Sequence, residues 1–278
     1  MNTQRGVRPQ LPWPAGRRPL SVVAFGNSVT FMQMPAAADR GQGNYLEVLA
    51  DCLAERGVPV TPHLEGKWFD FLHRALRDYE TRVRSHVPDV LIVQFGLNEY
   101  QPWLVPIWLI RHLMVQHRAV GRFATRYRRH IARPAWKQVR GYRRRVAPLV
   151  GVHTWQTTPR RFAGHLRRLI RTVRSEGKPL ILVLDIDEPS GTLAHFLPNL
   201  EPRHAIYQER IARVVASFDA PDVRLVKVSE LTRGGGVEML PDGMHYSPDT
   251  HRRVGELLAG EVVAWLEQQR ADAAKEST

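Results

Sequence analysis

The sequence predicts an α/β protein, a three-layer α/β/α sandwich around a five-stranded parallel sheet, interrupted by one basic helical insertion. Three observations lead there. Five short apolar runs alternate with longer segments whose apolar residues recur at helical spacing, the pattern of a parallel sheet with helices on both faces. Four of those runs are rich in Val, Leu and Ile without polar alternation, as strands buried on both faces are. A stretch rich in arginine and free of carboxylates separates the third strand from its return helix.

In chain order, the first strand is predicted over Leu20–Phe25, after a charged, proline-bearing segment, 1–17, expected as a disordered tail. The second, Val58–His63, contains Pro59 and Pro62 and suits a sheet edge, where a missing N–H is tolerated. The remaining strands are predicted over Asp89–Phe95, Pro179–Asp185 and Val223–Val228. Helical spacing marks Tyr45–Arg56, Phe69–His86, Pro159–Ser175, Pro202–Phe218 and Pro248–Gln268. The last three open with Pro in the first turn, and Thr158 and Ser247 stand as N-cap candidates. The segment 102–158 is expected as a helical, Arg-rich insertion or lid, and 270–278 as a second disordered tail.

A chain of 278 residues, 43% hydrophobic, can bury one sizeable core, so we expect a single domain over 1–278. The lone Cys52 excludes an intrachain disulfide and suits a reducing compartment. No signal-peptide core precedes the first strand, and the most apolar run, "WLVPIWLIRHLMV", is too short and too interrupted to span a bilayer. A cytoplasmic protein with peripheral membrane contact at most is the expectation. The net charge of +13 is not evenly spread: Tyr100–Ser175 holds 18 Lys and Arg and no Asp or Glu, which leaves the remainder at −5. Only five of the 40 basic residues are Lys.

In an open α/β sheet, ligands bind beyond the carboxyl ends of the strands. Those ends carry Gly26-Asn27-Ser28 after the first strand, Gly66 in "HLEGKW" after the second, and Gly96-Leu97-Asn98-Glu99 after the third. Near the C-terminus, "LPDGMHYS" sets Asp242 three residues before His245. Alone, each is an ordinary turn or cap motif. A serine hydroxyl needs a neutral imidazole to take its proton, and the imidazole a carboxylate to fix its tautomer. Attack on an acyl carbon then makes an oxyanion, for which a glycine N–H and an uncharged amide are suitable donors.

Taken in order, these four blocks resemble the GDSL or SGNH hydrolases, over Leu20 to about Leu258 apart from the insertion. The resemblance implies a flavodoxin-like sheet order and a serine hydrolase. It implies Ser28 as nucleophile with Asp242 and His245, and an oxyanion hole from Ser28, Gly66 and Asn98. Two positions depart from the family pattern: Asn27 and Glu99 stand where Asp is usual. We expect Asn27, Glu99, Trp103 and Trp108 near the substrate, no cofactor and no metal. The histidines at 112, 117, 130, 153 and 165 are interleaved with arginines that repel a cation. Acyl hydrolysis and acyl transfer use the same residues, and a non-catalytic module that binds an anionic partner is the alternative from another class. For the insertion, the sequence leaves open a solvated helical cap, or recognition of something anionic beside an acyl chain: an acidic acyl carrier protein or carrier-bound acyl ester, a phosphorylated or carboxylated ester, or an anionic lipid surface. No nucleic-acid motif is present.

Overall fold

The computed structural model describes residues 10–11, 13–14, 16–32, 43–106, 108–109, 112, 121–150, 156–190, 193–194, 197 and 200–276. Five parallel strands form its sheet: β1 Leu20–Gly26, β2 Val60–Gly66, β3 Val90–Gln94, β4 Leu180–Leu184 and β5 Val223–Val226. Their order is β2-β1-β3-β4-β5, the flavodoxin-like arrangement in which the chain reverses direction between β1 and β3. Every residue of β1, β3 and β4 is buried, which is why those runs show no polar alternation.

Five helices of ten residues or more accompany the sheet: α1 Tyr45–Ala54, α2 Arg133–Val150, α3 Pro159–Glu176, α4 Glu201–Ala216 and α5 Pro248–Glu276. Right-handed crossovers carry α1 to one face on the way to β2, and α3 and α4 to the other on the way to β4 and β5. Accordingly α1 packs on α5, and α3 on α4. Both N-cap expectations hold: Thr158 Oγ1 accepts from Arg161 N at 3.3 Å, and Ser247 Oγ from Thr250 N at 3.3 Å.

Several boundaries differ from expectation, each for a physical reason. β2 begins at Val60, opposite Leu20: the Leu20 N–H bonds the Pro59 carbonyl, and Pro59 has no N–H with which to carry the ladder further back. The helix expected over Phe69–His86 is broken into Leu72–Ala75, Leu76–Asp78, Tyr79–Arg82 and Arg84–His86, with Val83 at φ −129° between the last two. The segment expected as an N-terminal tail is tied down where it is described: Leu11 is buried and its N–H reaches the Arg56 carbonyl. At the other end α5 continues to Glu276, through the helix-forming "ADAAKE" of the expected tail.

Of the insertion, the described part holds a helix Arg122–Tyr127, a π-turn Arg128–Ala132 and α2. Pro134 has no N–H to return to the preceding turn, and the wider turn ends where it stands. Residues 107, 110–111, 113–120 and 151–155 of the insertion lie outside the described residues. Among the described residues no helix is long and apolar enough to cross a membrane.

Candidate active site

Three adjacent strand ends assemble the site. Gly26 is level with Gly66 of β2 on one side and with Gln94 of β3 on the other, so Ser28 sits between the Gly66 and Asn98 loops at the switch point of the sheet. Ser28 opens a one-turn 3-10 helix, Ser28–Thr30, capped by Asn27, whose Oδ1 accepts from Val29 N at 3.1 Å. As the first residue of that turn its N–H finds no acceptor among the described residues.

His245 joins Ser28 to Asp242. Its Nε2 lies 2.9 Å from Ser28 Oγ and its Nδ1 lies 2.6 Å from Asp242 Oδ2. Asp242 Oδ1 accepts the backbone N–H of both Met244 and His245, at 3.0 and 2.8 Å, and so holds the loop that carries the imidazole. Partial burial raises the Asp242 carboxyl, but the His245 ring and these backbone donors outweigh it and hold the group below its ordinary value. An ionised Asp242 requires the proton on Nδ1, which leaves Nε2 as an acceptor toward the Ser28 hydroxyl. Gly243 in the turn has φ +83°, and a Cβ there would stand 2.0 Å from the Ser190 carbonyl, so the loop is closed to any side chain at this position.

The proposed hole residues stand on either side of Ser28. Lys67 N–H closes the β1–β2 ladder on Gly26 O at 3.2 Å, so by strand alternation the Gly66 N–H falls outside it. A Cβ on Gly66 would meet Phe31 Cδ1 at 2.4 Å. Asn98 donates one Nδ2 hydrogen to the Asp70 carbonyl at 2.9 Å, which orients the amide and leaves its second hydrogen for a ligand. Asp70 is itself fixed by buried Arg82, at 2.7 Å.

The outlying positions fare differently. Glu99 is fully buried, and its oxygens accept Leu72 N at 2.7 Å and Gly96 N at 2.9 Å. It has no surface to offer a substrate, which corrects that expectation. Burial pushes its carboxyl up to about 7 against the pull of the same backbone donors. Trp103 donates its indole N–H to the Asn98 carbonyl and packs on Phe69 and Phe71, so it braces the site from behind. Trp108 is 67% exposed. Asn27 lines a small recess beside Ser28 with Val29, Phe95, Ile186, Asp187 and Met244, and its Nδ2 has no partner among the described residues.

Two features escaped sequence reasoning. One is an aromatic wall: Trp68 lies 6.2 Å from the His245 ring and 6.2 Å from Phe69, and Phe69 lies 5.8 Å from Trp103. The run "WFDF" directly after Gly66-Lys67 was the available signal. The other is a buried polar chain running from Tyr45 through Gln94 and Tyr246 to Asp187, with contacts of 3.2, 3.0 and 2.9 Å. Among the described residues no cluster of His, Cys, Asp and Glu has the arrangement of a metal site.

The sequence matches no family model and no curated protein. Solved structures do match. A lipase/acylhydrolase from Enterococcus faecalis superposes with a TM-score of 0.57 at 15% identity, covering 87% of this chain and 95% of its own. A carbohydrate acetylesterase from Sinorhizobium meliloti gives 0.55 at 14% identity, covering 88% and 99%. A protein described as a GDSL-like lipase from Parabacteroides merdae gives 0.54 at 12%, covering 92% and 97%. The fold is that of the GDSL-type lipases and esterases. In this GDSL-type fold the four sequence blocks occupy adjacent strand ends and the loop that faces them.

Proposed function

We propose that the protein is a serine hydrolase that cleaves carboxylic esters through an acyl-enzyme on Ser28. One observation carries this reading: a single imidazole, on His245, bridges the Ser28 hydroxyl and the Asp242 carboxylate at hydrogen-bond distances. In the first half-reaction Ser28 Oγ attacks the acyl carbon as its proton passes to His245 Nε2. The carbonyl oxygen becomes an oxyanion, which the N–H groups of Ser28 and Gly66 and the free hydrogen of Asn98 stabilise. Collapse breaks the ester C–O bond, and the proton on Nε2 goes to the departing alkoxide. In the second half-reaction His245 takes a proton from water as the hydroxide attacks the acyl-enzyme; collapse breaks the acyl–Oγ bond, Ser28 takes the proton back from His245, and the carboxylic acid leaves and loses its proton to solvent. An alcohol in place of that water makes the same residues an acyltransferase.

The fold supports the reading as well, since matching structures include a lipase/acylhydrolase and a carbohydrate acetylesterase. The test is covalent labelling. A fluorophosphonate probe should modify Ser28 in the folded protein, and the protein should turn over short p-nitrophenyl esters. Ser28→Ala should lose both with its melting temperature preserved. A folded protein that neither labels at Ser28 nor turns over esters would leave a non-catalytic binding module as the correct description.

A further inference from the structure

Among the described residues seven large apolar side chains stand exposed, and five of them lie in the insertion: Trp108, Phe123, Ile131, Tyr142 and Leu149. A helical cap that merely covers a domain turns its apolar residues inward and its charges outward. Here the inward side of the insertion includes a charge. Arg143 is buried, with its guanidinium 5.0 Å over the Trp103 ring, and burial lowers its affinity for the proton to about 10. That anchor fixes which face of α2 looks out. Tyr142 and Leu149, seven residues apart, fall on one line of the helix and are 49% and 82% exposed. Lys137, Arg144 and Arg145 share the exposed part of α2, and Arg129 and Phe123 stand exposed just before it.

The insertion, 102–158, contains 12 Lys and Arg and no Asp or Glu, so no carboxylate of its own offsets their charge. We propose that the insertion is a docking surface for an anionic lipid bilayer. A bilayer interface accepts separate apolar side chains without a matching pocket, takes Trp and Tyr at headgroup level, and draws arginines to its phosphates. A nucleic acid offers no apolar phase to the aliphatic Ile131 and Leu149, and an acidic protein surface needs the apolar residues gathered into one desolvated patch. The docking surface does not depend on the chemistry at Ser28, yet it adjoins it. Arg143 rests on Trp103, Trp103 on Phe69, Phe69 on Trp68, and Trp68 faces His245.

The test uses the full chain and two kinds of vesicle, phosphatidylcholine alone and equal parts phosphatidylcholine and phosphatidylglycerol. Flotation should recover the protein with the anionic vesicles only, and added potassium chloride should weaken the binding. Replacing Arg129, Lys137, Arg144 and Arg145 together with Gln should weaken it about a hundredfold or more. Phe123→Ser with Leu149→Ser, at unchanged charge, should weaken it about tenfold or more. Fluorophosphonate labelling of Ser28 and the thermal melt report independently whether each variant is folded and whether the reactive serine stands. Absence of binding to the anionic vesicles at low salt overturns the proposal. Binding that ignores Phe123→Ser with Leu149→Ser and yields to polyglutamate also overturns it, and assigns the surface to an acidic protein. If the four-residue variant does not fold, salt dependence of the unaltered chain and the apolar variant decide the matter between them.

Discussion

At the scale of single residues, Asp242 divides its work between two oxygens. Oδ1 holds the loop through Met244 N and His245 N, and Oδ2 takes the ring. Asp242→Asn keeps an oxygen for the backbone and presents an amide N–H to His245 Nδ1, which drives the ring proton to Nε2, where it faces Ser28. We expect turnover of a short ester to fall about 10⁴-fold with little change in melting temperature. A fall of less than tenfold would show that Asp242 does not set the tautomer. Asn98→Ala is expected to cost about 10² to 10³ in kcat, the worth of one fixed oxyanion donor, with KM changed far less. That Ser28, Gly66, Asn98, Asp242 and His245 would stand at one end of the sheet was legible, because each follows a strand or leads into the last helix, where the topology of a parallel sheet sends ligands. Asn27 illustrates why its departure from Asp is harmless to the turn: the cap needs one side-chain oxygen for Val29 N, and either residue has it. What holds Asn98 in place was not legible, since its partner is the backbone carbonyl of Asp70, and a carbonyl has no signature in sequence.

At the scale of elements, the site depends on how two loops are tied. Glu99 clamps the turn after β3 to the segment that follows β2, accepting Gly96 N from its own turn and Leu72 N from the other. This clamp also accounts for the failure of helical spacing over Phe69–His86. Leu72 N is spent on a carboxylate 27 residues away, Phe71 keeps an extended backbone at ψ 143°, and the helix starts only beyond it. Periodicity reads contacts within one segment and is blind to a long-range capture of this kind. The central strands were easier, because residues buried on both faces leave a continuous apolar run, whereas at the two edges β2 starts and ends later than expected and β5 ends two residues early. Removing the clamp by Glu99→Ala strands two buried N–H groups, at roughly 1 to 3 kcal/mol each. Urea denaturation should show a loss of about 2 to 6 kcal/mol in total, and Glu99→Gln, with one acceptor left, should fall between. An equal loss in both variants would mean that charge, not acceptor count, holds the loops.

At the scale of the whole molecule, the sheet's apolar centre is crossed near its carboxyl end by the polar chain from Tyr45 to Asp187, and this gives stability a dependence on pH that no apolar core has. Asp187 is buried, accepts from Thr232 Oγ1 at 2.7 Å and Tyr246 Oη at 2.9 Å, and is pushed up to about 6 by burial. A carboxyl whose folded value is raised binds its proton more tightly in the folded state. Its contribution to stability is therefore complete below the unfolded value near 3.8 and is lost as pH rises through about 6. Other buried groups pull the other way: burial lowers His251 to about 4, so it penalises the folded state at acid pH. The raw stability curve mixes these opposing groups, whereas a comparison with Asp187→Asn isolates one of them. Across roughly pH 4 to 6 the wild type should lose about 1.4 kcal/mol per pH unit relative to Asp187→Asn, the linkage slope of a single proton. Above about pH 7 the difference should level off. Chemical denaturation of both proteins at half-unit intervals reads this directly. A difference that stays flat across the range would place Asp187 among ordinary ionised carboxylates, and the chain from Tyr45 would then end on a charge, not on a shared proton.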